Sequence, residues 1–224
     1  SDPAHFADRN VGVKLGPDSQ NLADVDLDCG EAVLVGPALL PATDSAFGRA
    51  GVVTHALYTV PARDAGYLKL QDPVVSGDRA TIVELRWPEW DEDKQRYKAL
   101  QSVFPPSLHH SGSTIEWLRD GTPAEVAGSE LVAAVKHIGA AVLLARYAKP
   151  KERHALVLLL SNLLVRAGWE DGKAARFIVA VFTAKNDKEK ASKVADGEGL
   201  GAVKDARKRL KAGKPMTGLP ALKE

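Results

Sequence analysis

The hydrophobic period of this chain changes once, near residue 123, and that change limits the folds open to it. Upstream, "NVGVKLG" and "LADVDLD" alternate apolar with polar residues, "GVVTHALYTV" is rich in β-branched residues, and "RATIVELRW" is a further run of the same kind. Gly and Pro separate these runs, and a period of two bounded in this way predicts short strands joined by turns. Downstream, apolar residues recur about every three and a half positions in "SELVAAVKHIGAAVLLARYA", "KERHALVLLLSNLLVRAGW" and "GKAARFIVAVFTAK". That is the spacing of helices with one buried face. At 224 residues there is room for one large domain or for a domain with a smaller companion. The expectation is a chain of the α+β class: an α+β domain over 1–123, a small all-α bundle over 124–214, and a linker over 215–224.

The expected element boundaries follow from local chemistry. "GEAVLVGPALLP" carries helix formers but is interrupted at Gly36 and Pro37, so it reads as a short helix followed by a turn or a second helix. "WPEWDEDKQRYKALQ" reads as a polar insertion, and "SVFPPSLHHSGSTIEWL" as a loop leading into a strand. Thr122, Pro123 and Glu125 fit a helix start, with Ser129 as the alternative because Gly128 interrupts the first turn. Gly168 is a good helix terminator, and Asn186 with Glu189 occupies capping-box positions.

Near-neutral total charge conceals a division. Residues 1–123 hold 11 Lys and Arg against 18 Asp and Glu, a balance of −7, whereas residues 124–224 hold 19 against 11, a balance of +8. An acidic front beside a basic back suits a metal site next to a polyanion-binding surface, although solvated helical faces give the same bias. Apolar runs such as "ALVLLLSNLLV" are too short to span a bilayer. The chain opens at Ser1 with neither methionine nor signal-peptide pattern, as expected of a processed or excised piece. Cys29 is the single cysteine, which excludes an internal disulfide and a cysteine-rich zinc site and fits a cytoplasmic protein.

Within "NLADVDLDCG", Asp24, Asp26 and Asp28 fall on one face of a strand and Ala23, Val25 and Leu27 on the other. Three carboxylates in register either decorate an exposed edge or hold a divalent cation that removes their repulsion. Glu84, a lone acid among the apolar residues of "TIVELRW", faces outward or supplies a third ligand. In "FGRAGVVTHALY", Arg49 can fork onto a phosphate and His55 can donate to one; the plain alternative for His55 is a satisfied strand histidine. "FPPSLHHSG" holds Ser107, His109 and His110 between two prolines and Gly112, either against a ligand or as a rigid loop. "DARKRLKAGK" sets Lys204, Arg207, Lys208 and Lys211 along one helical stripe, solvated or DNA-binding.

Taken in order, these pieces resemble the bifunctional primase/polymerase (prim-pol) domain of the archaeo-eukaryotic primase superfamily, as carried by phages, plasmids and integrated elements. The resemblance runs through "NVGVKLG", "LADVDLDCGEA", "LLPATDSAFGR", "VTHALY", "VELRW" and "QSVFPPSLHHSG", most of residues 10–118. The back region looks like the helical segment that follows such domains in primase-helicase proteins. The resemblance implies a compact RRM-like catalytic fold and DNA-templated primer synthesis or extension on single-stranded DNA with Mg²⁺ or Mn²⁺. It makes Asp26 and Asp28 the first metal-binding pair, Glu84 the third acid and His55 the nucleotide-binding histidine, with Arg49, Ser107 and His109 near the nucleotide phosphates or in the loop shaping the site. Asp24 with Asp26 is an alternative pair. Glu84 stands where the family often has Asp, and the insertion over 88–100 is wider than the family pattern. Implied partners are single-stranded DNA, nucleoside triphosphates and a covalently linked helicase downstream, with no membrane. A non-catalytic nucleotide- or DNA-binding replication module and another phosphotransfer enzyme, such as a nuclease, are the competing expectations.

Overall fold

A computed structural model describes residues 9–61, 66–148 and 153–216. In chain order the elements of the front region are β1 (Val11–Lys14), β2 (Leu22–Leu27), α1 (Gly30–Leu39), β3 (Ser45–Arg49), β4 (Val52–Thr59), β5 (Leu68–Gln71) and β6 (Thr81–Arg86). The short strands β7 (Trp90–Asp91) and β8 (Arg96–Tyr97) follow, then β9 (Gln101–Phe104), β10 (Ile115–Asp120) and β11 (Ala124–Glu125). Helices complete the chain: α2 (Gly128–Tyr147), α3 (Arg153–Arg166), α4 (Asp171–Ala184), α5 (Lys188–Lys193) and α6 (Gly199–Lys211). The class is mixed α+β with antiparallel sheets. By compactness the described residues divide into two units, one holding residues up to Val33 with Leu40–Lys136, the other Leu34–Leu39 with His137 onward.

The central sheet of the first unit has the order β10-β3-β4-β2-β6-β5, with every neighbouring pair antiparallel. β11 adds in parallel beside the end of β4. Directly paired residues share a face, so Ala23, Val25 and Leu27 lie with Ala56, Tyr58, Val83 and Leu85, and all seven are buried. On the opposite face Phe47, Leu57, Phe104 and Ile115 form an apolar cluster joined by Val13 and Leu22. Phe104 and Val13 reach it from the separate β1–β9 ribbon. This ribbon covers part of the face that carries the aspartates of β2.

Four local readings change in the structure. α1 runs unbroken through Gly36 and Pro37 to Leu39; the proline nitrogen cannot donate to Val33, but the helix ends two residues later and little is lost. Thr122 and Pro123 do not open a helix. Ala124 and Glu125 are extended because β4 offers backbone partners there, with Val126 donating to the Thr59 carbonyl at 3.0 Å, and the helix starts at Gly128. Asn186 takes a left-handed φ of 56°, which Asn tolerates, and Asp187 is the cap, accepting from the Lys190 amide at 3.2 Å. The polar insertion folds as the β7–β8 hairpin, clasped by Trp90 edge-on to Tyr97 at 5.0 Å, and "QSVF" is strand β9 where a loop was expected.

In the second unit, α3 and α4 pack against each other and both pack against α6. Gly168 takes the left-handed conformation that ends α3 (φ 80°), and Glu170 caps α4 by accepting from the Gly172 and Lys173 amides. Among the described residues, α2 is long and apolar enough by length and composition to cross a membrane, and half of the apolar stretch is buried inside the protein. The expected linker lies mostly outside the described residues.

Candidate metal centre

Register assembles the site. Trp117 of β10 pairs with Phe47 of β3, Phe47 with His55 of β4, His55 with Asp26 of β2, Asp26 with Glu84 of β6, and Glu84 with Lys69 of β5. Paired residues share a face, so one row crosses six strands from an indole to an ammonium. Asp28 follows one position after β2 and is held there by its amide, which donates to the Ile82 carbonyl at 3.1 Å. Carboxylate oxygens of Asp26, Asp28 and Glu84 thereby come within 4.8 Å of one another. An all-oxygen donor set of this size fits a hard divalent cation, whose shell is about 4.2 Å across for bonds near 2.1 Å.

The three aspartates of β2 share a face but not an environment. Asp24 is fully buried, Asp26 half-buried and Asp28 exposed. Both oxygens of Asp24 are taken: His55 Nδ1 lies 3.0 Å from one and 3.1 Å from the other, and Ser102 Oγ donates to it at 2.6 Å. Asp24 is therefore a partner of His55 and lies outside the carboxylate cluster. Burial alone would raise its pKa, but His55, Ser102 and Arg86 outweigh that and hold it low. Burial pushes the Asp26 carboxyl up to about 7, with His55 opposing and Asp24 and Asp28 adding to the rise. Asp28 is raised too, by partial burial and then by Glu84.

His55 stacks flat on Phe47, with ring centroids 4.4 Å apart, and presents Nε2 to Asp26 Oδ1 at 3.5 Å. Burial would lower its pKa, but Asp24 and Asp26 reverse that and lift it to about 9. Arg86 Nη1 reaches Asp26 at 3.5 Å while Nη2 donates to the Gln101 carbonyl at 2.8 Å. Lys69 Nζ contacts Glu84 Oε1 at 2.7 Å. A cleft of about 230 Å³ opens over these groups, lined among others by Asp26, Asp28, Arg49, His55, Arg86 and His109. No family model, curated protein or solved structure matches the chain.

Arg49 and His109, far apart in sequence, meet in the cleft wall: Arg49 Nη1 donates to His109 Nδ1 at 2.6 Å. Burial, Arg49 and His110 all lower the His109 pKa, consistent with a neutral ring that accepts through Nδ1. Ser107 is elsewhere. Its buried hydroxyl accepts from the Val11 amide at 2.8 Å and ties the loop after β9 to β1, so it anchors backbone and does not line the cleft. In the second unit Lys204, Lys208 and Lys211 of α6 are exposed. Arg207 leaves the stripe: it is half-buried, donates through Nε to Asp171 at 2.5 Å and through Nη2 to the Trp169 carbonyl, and so holds the start of α4.

Lys69, Arg86, Ser102 and Phe47 join the site without having been singled out in the sequence. Arg86 had a legible signal, since it stands two residues after Glu84 and so shares its strand face. The other three depend on pairing between strands, which no local pattern encodes.

Proposed function

We propose that this chain is a DNA-templated nucleotidyltransferase of the prim-pol type, a primase/polymerase that makes or extends primers on single-stranded DNA. On this reading the first unit is a compact RRM-like catalytic domain and Asp26, Asp28 and Glu84 hold Mg²⁺ or Mn²⁺. The observation that carries the reading is the meeting of those three carboxylates, from sites up to 58 positions apart, within 4.8 Å and beside His55. These are the residues, in the order, that the resemblance assigns.

Each side chain then has a task. Asp26, Asp28 and Glu84 would supply the oxygen ligands that hold divalent ions. Such ions, when bound, favour the attacking 3′-oxygen and neutralise charge on the leaving pyrophosphate. Asp24 holds His55 through Nδ1, leaving Nε2 facing Asp26 and the cleft, where a triphosphate oxygen can accept from it. Arg49, braced by His109, presents the rest of its guanidinium to phosphate. Lys204, Lys208 and Lys211 are the candidate contacts to the template backbone. A helicase covalently linked downstream belongs to the same proposal, as does a cytoplasmic setting.

Nucleotide incorporation on single-stranded DNA with Mg²⁺ or Mn²⁺, with and without a primer, tests the reading. Products from the parent and none from an Asp26→Ala/Asp28→Ala variant are expected. A folded parent that binds single-stranded DNA but makes no product would make the chain a non-catalytic binding module; degraded template would make it a nuclease.

A further inference from the structure

Glu84, the third acid of the cluster, already has a cation. Lys69 Nζ lies 2.7 Å from Glu84 Oε1, and the two residues are direct cross-strand partners on β5 and β6. The charge of Asp28 also acts on the Lys69 ammonium, more weakly than that of Glu84. His55 and Arg86 are further cations at the cluster, but His55 is held by Asp24 at 3.0 Å, and Arg86 is tied down by the Gln101 carbonyl at 2.8 Å and keeps only a 3.5 Å contact with Asp26. Lys69 differs in both respects. It belongs to the last strand of the sheet, its side chain is 37% exposed, and four rotatable bonds let its ammonium leave without moving the backbone.

Charge points the same way. Asp24, Asp26, Asp28 and Glu84 face His55, Arg86 and Lys69, so the ionised groups nearly balance before anything binds. A divalent ion added with Lys69 in place brings two positive charges against an ammonium already at contact distance. We propose that Lys69 is the resident counter-ion of this cluster: its ammonium releases Glu84 when a divalent cation engages the three carboxylates, and then takes an oxygen of a polyphosphate held beside them. The inference rests on the metal-binding part of the function proposed above and not on polymerisation.

Two binding measurements test it, neither of which needs catalysis. Free Mn²⁺ is followed by electron paramagnetic resonance during titration of the parent, Lys69→Met, Lys69→Gln and Lys69→Arg, first alone and then with inorganic tripolyphosphate. Removing the competing charge at a partly exposed pair should tighten Mn²⁺ binding about threefold to tenfold in Lys69→Met and Lys69→Gln, while Lys69→Arg, which keeps the charge, stays near the parent. With Mn²⁺ present, the two neutral variants should bind tripolyphosphate several-fold more weakly. A merely structural strand pair gives the opposite first result, since its loss lowers the melting temperature and loosens the carboxylates. Mn²⁺ binding that is unchanged or weaker in both neutral variants overturns the proposal, and so does a parent that binds no Mn²⁺. A parent that binds Mn²⁺ with the expected variant pattern but makes no product supports the role of Lys69 and overturns polymerisation alone.

Discussion

His55 bridges two aspartates of the same strand: its Nδ1 lies 3.0 Å from the buried Asp24 and its Nε2 3.5 Å from the half-buried Asp26. The two contacts have different consequences. Asp24 has no exposure and no partner but the protein, so removing it leaves His55 and Ser102 facing a hole. Asp24→Ala should cost about 3–5 kcal/mol in urea unfolding, the range for one half of a buried pair. Asp28→Ala, exposed and repelled by Glu84, should change stability by less than about 0.5 kcal/mol and yet abolish Mn²⁺ binding. Equal losses of stability in the two variants would contradict the burial gradient.

Stability without metal should fall as pH rises. Asp26 has an ordinary value of 3.8 and a folded value of about 7, so between these the folded chain holds a proton that the unfolded chain has released. His55 has the same sign over a higher window, from 6.5 to about 9. Folding free energy is therefore lost from about pH 4 to 9. Thermal melts in chelator should show this decline, with Asp26→Asn flattening its lower part. Mn²⁺ binding should run the other way, tightening between pH 6 and 8 as Asp26 ionises.

Gly48 admits no side chain. A Cβ there would lie 1.9 Å from the Val52 carbonyl oxygen, at the point where the β3–β4 register shifts. Gly48→Ala should cost about 1–3 kcal/mol and displace the neighbouring Arg49 from the cleft. Unchanged melting, with an unchanged His109 imidazole resonance, would show that the strand absorbs the methyl.

The basic helix α6 separates into two roles. Replacing Lys204, Lys208 and Lys211 by Ala should weaken single-stranded DNA binding and reduce the salt slope by about 2, at roughly 0.7 per phosphate contact. Arg207→Ala should act through Asp171 and the Trp169 carbonyl, lowering the melting temperature with a smaller effect on the salt slope. A large change in slope for Arg207→Ala alone would restore it to the DNA-contacting stripe.

The alternation of "LADVDLD" was enough to place three acids on one face and three apolar residues on the other, because strand geometry leaves no choice once the strand forms. The same reasoning found the period change that separates strands from helices, and Gly168 as the end of α3. Local chemistry misled at Thr122 and Pro123, where the open side of β4 gave backbone partners that outweighed a capping pattern. Ser107, singled out beside a phosphate or in a loop shaping the site, accepts from the Val11 amide and ties that loop to β1. Which aspartate is buried, which pairs with His55 and which lies beside Glu84 were beyond local pattern, since Asp24, Asp26 and Asp28 are alike in sequence. Cross-strand register and the covering ribbon decided it: the β1–β9 side brings Ser102 onto Asp24, β6 brings Glu84 beside Asp26, and β5 brings Lys69 beside Glu84. Local sequence sets which face of a strand a side chain takes; long-range pairing sets which neighbours it meets there, and a carboxylate cluster is made of neighbours.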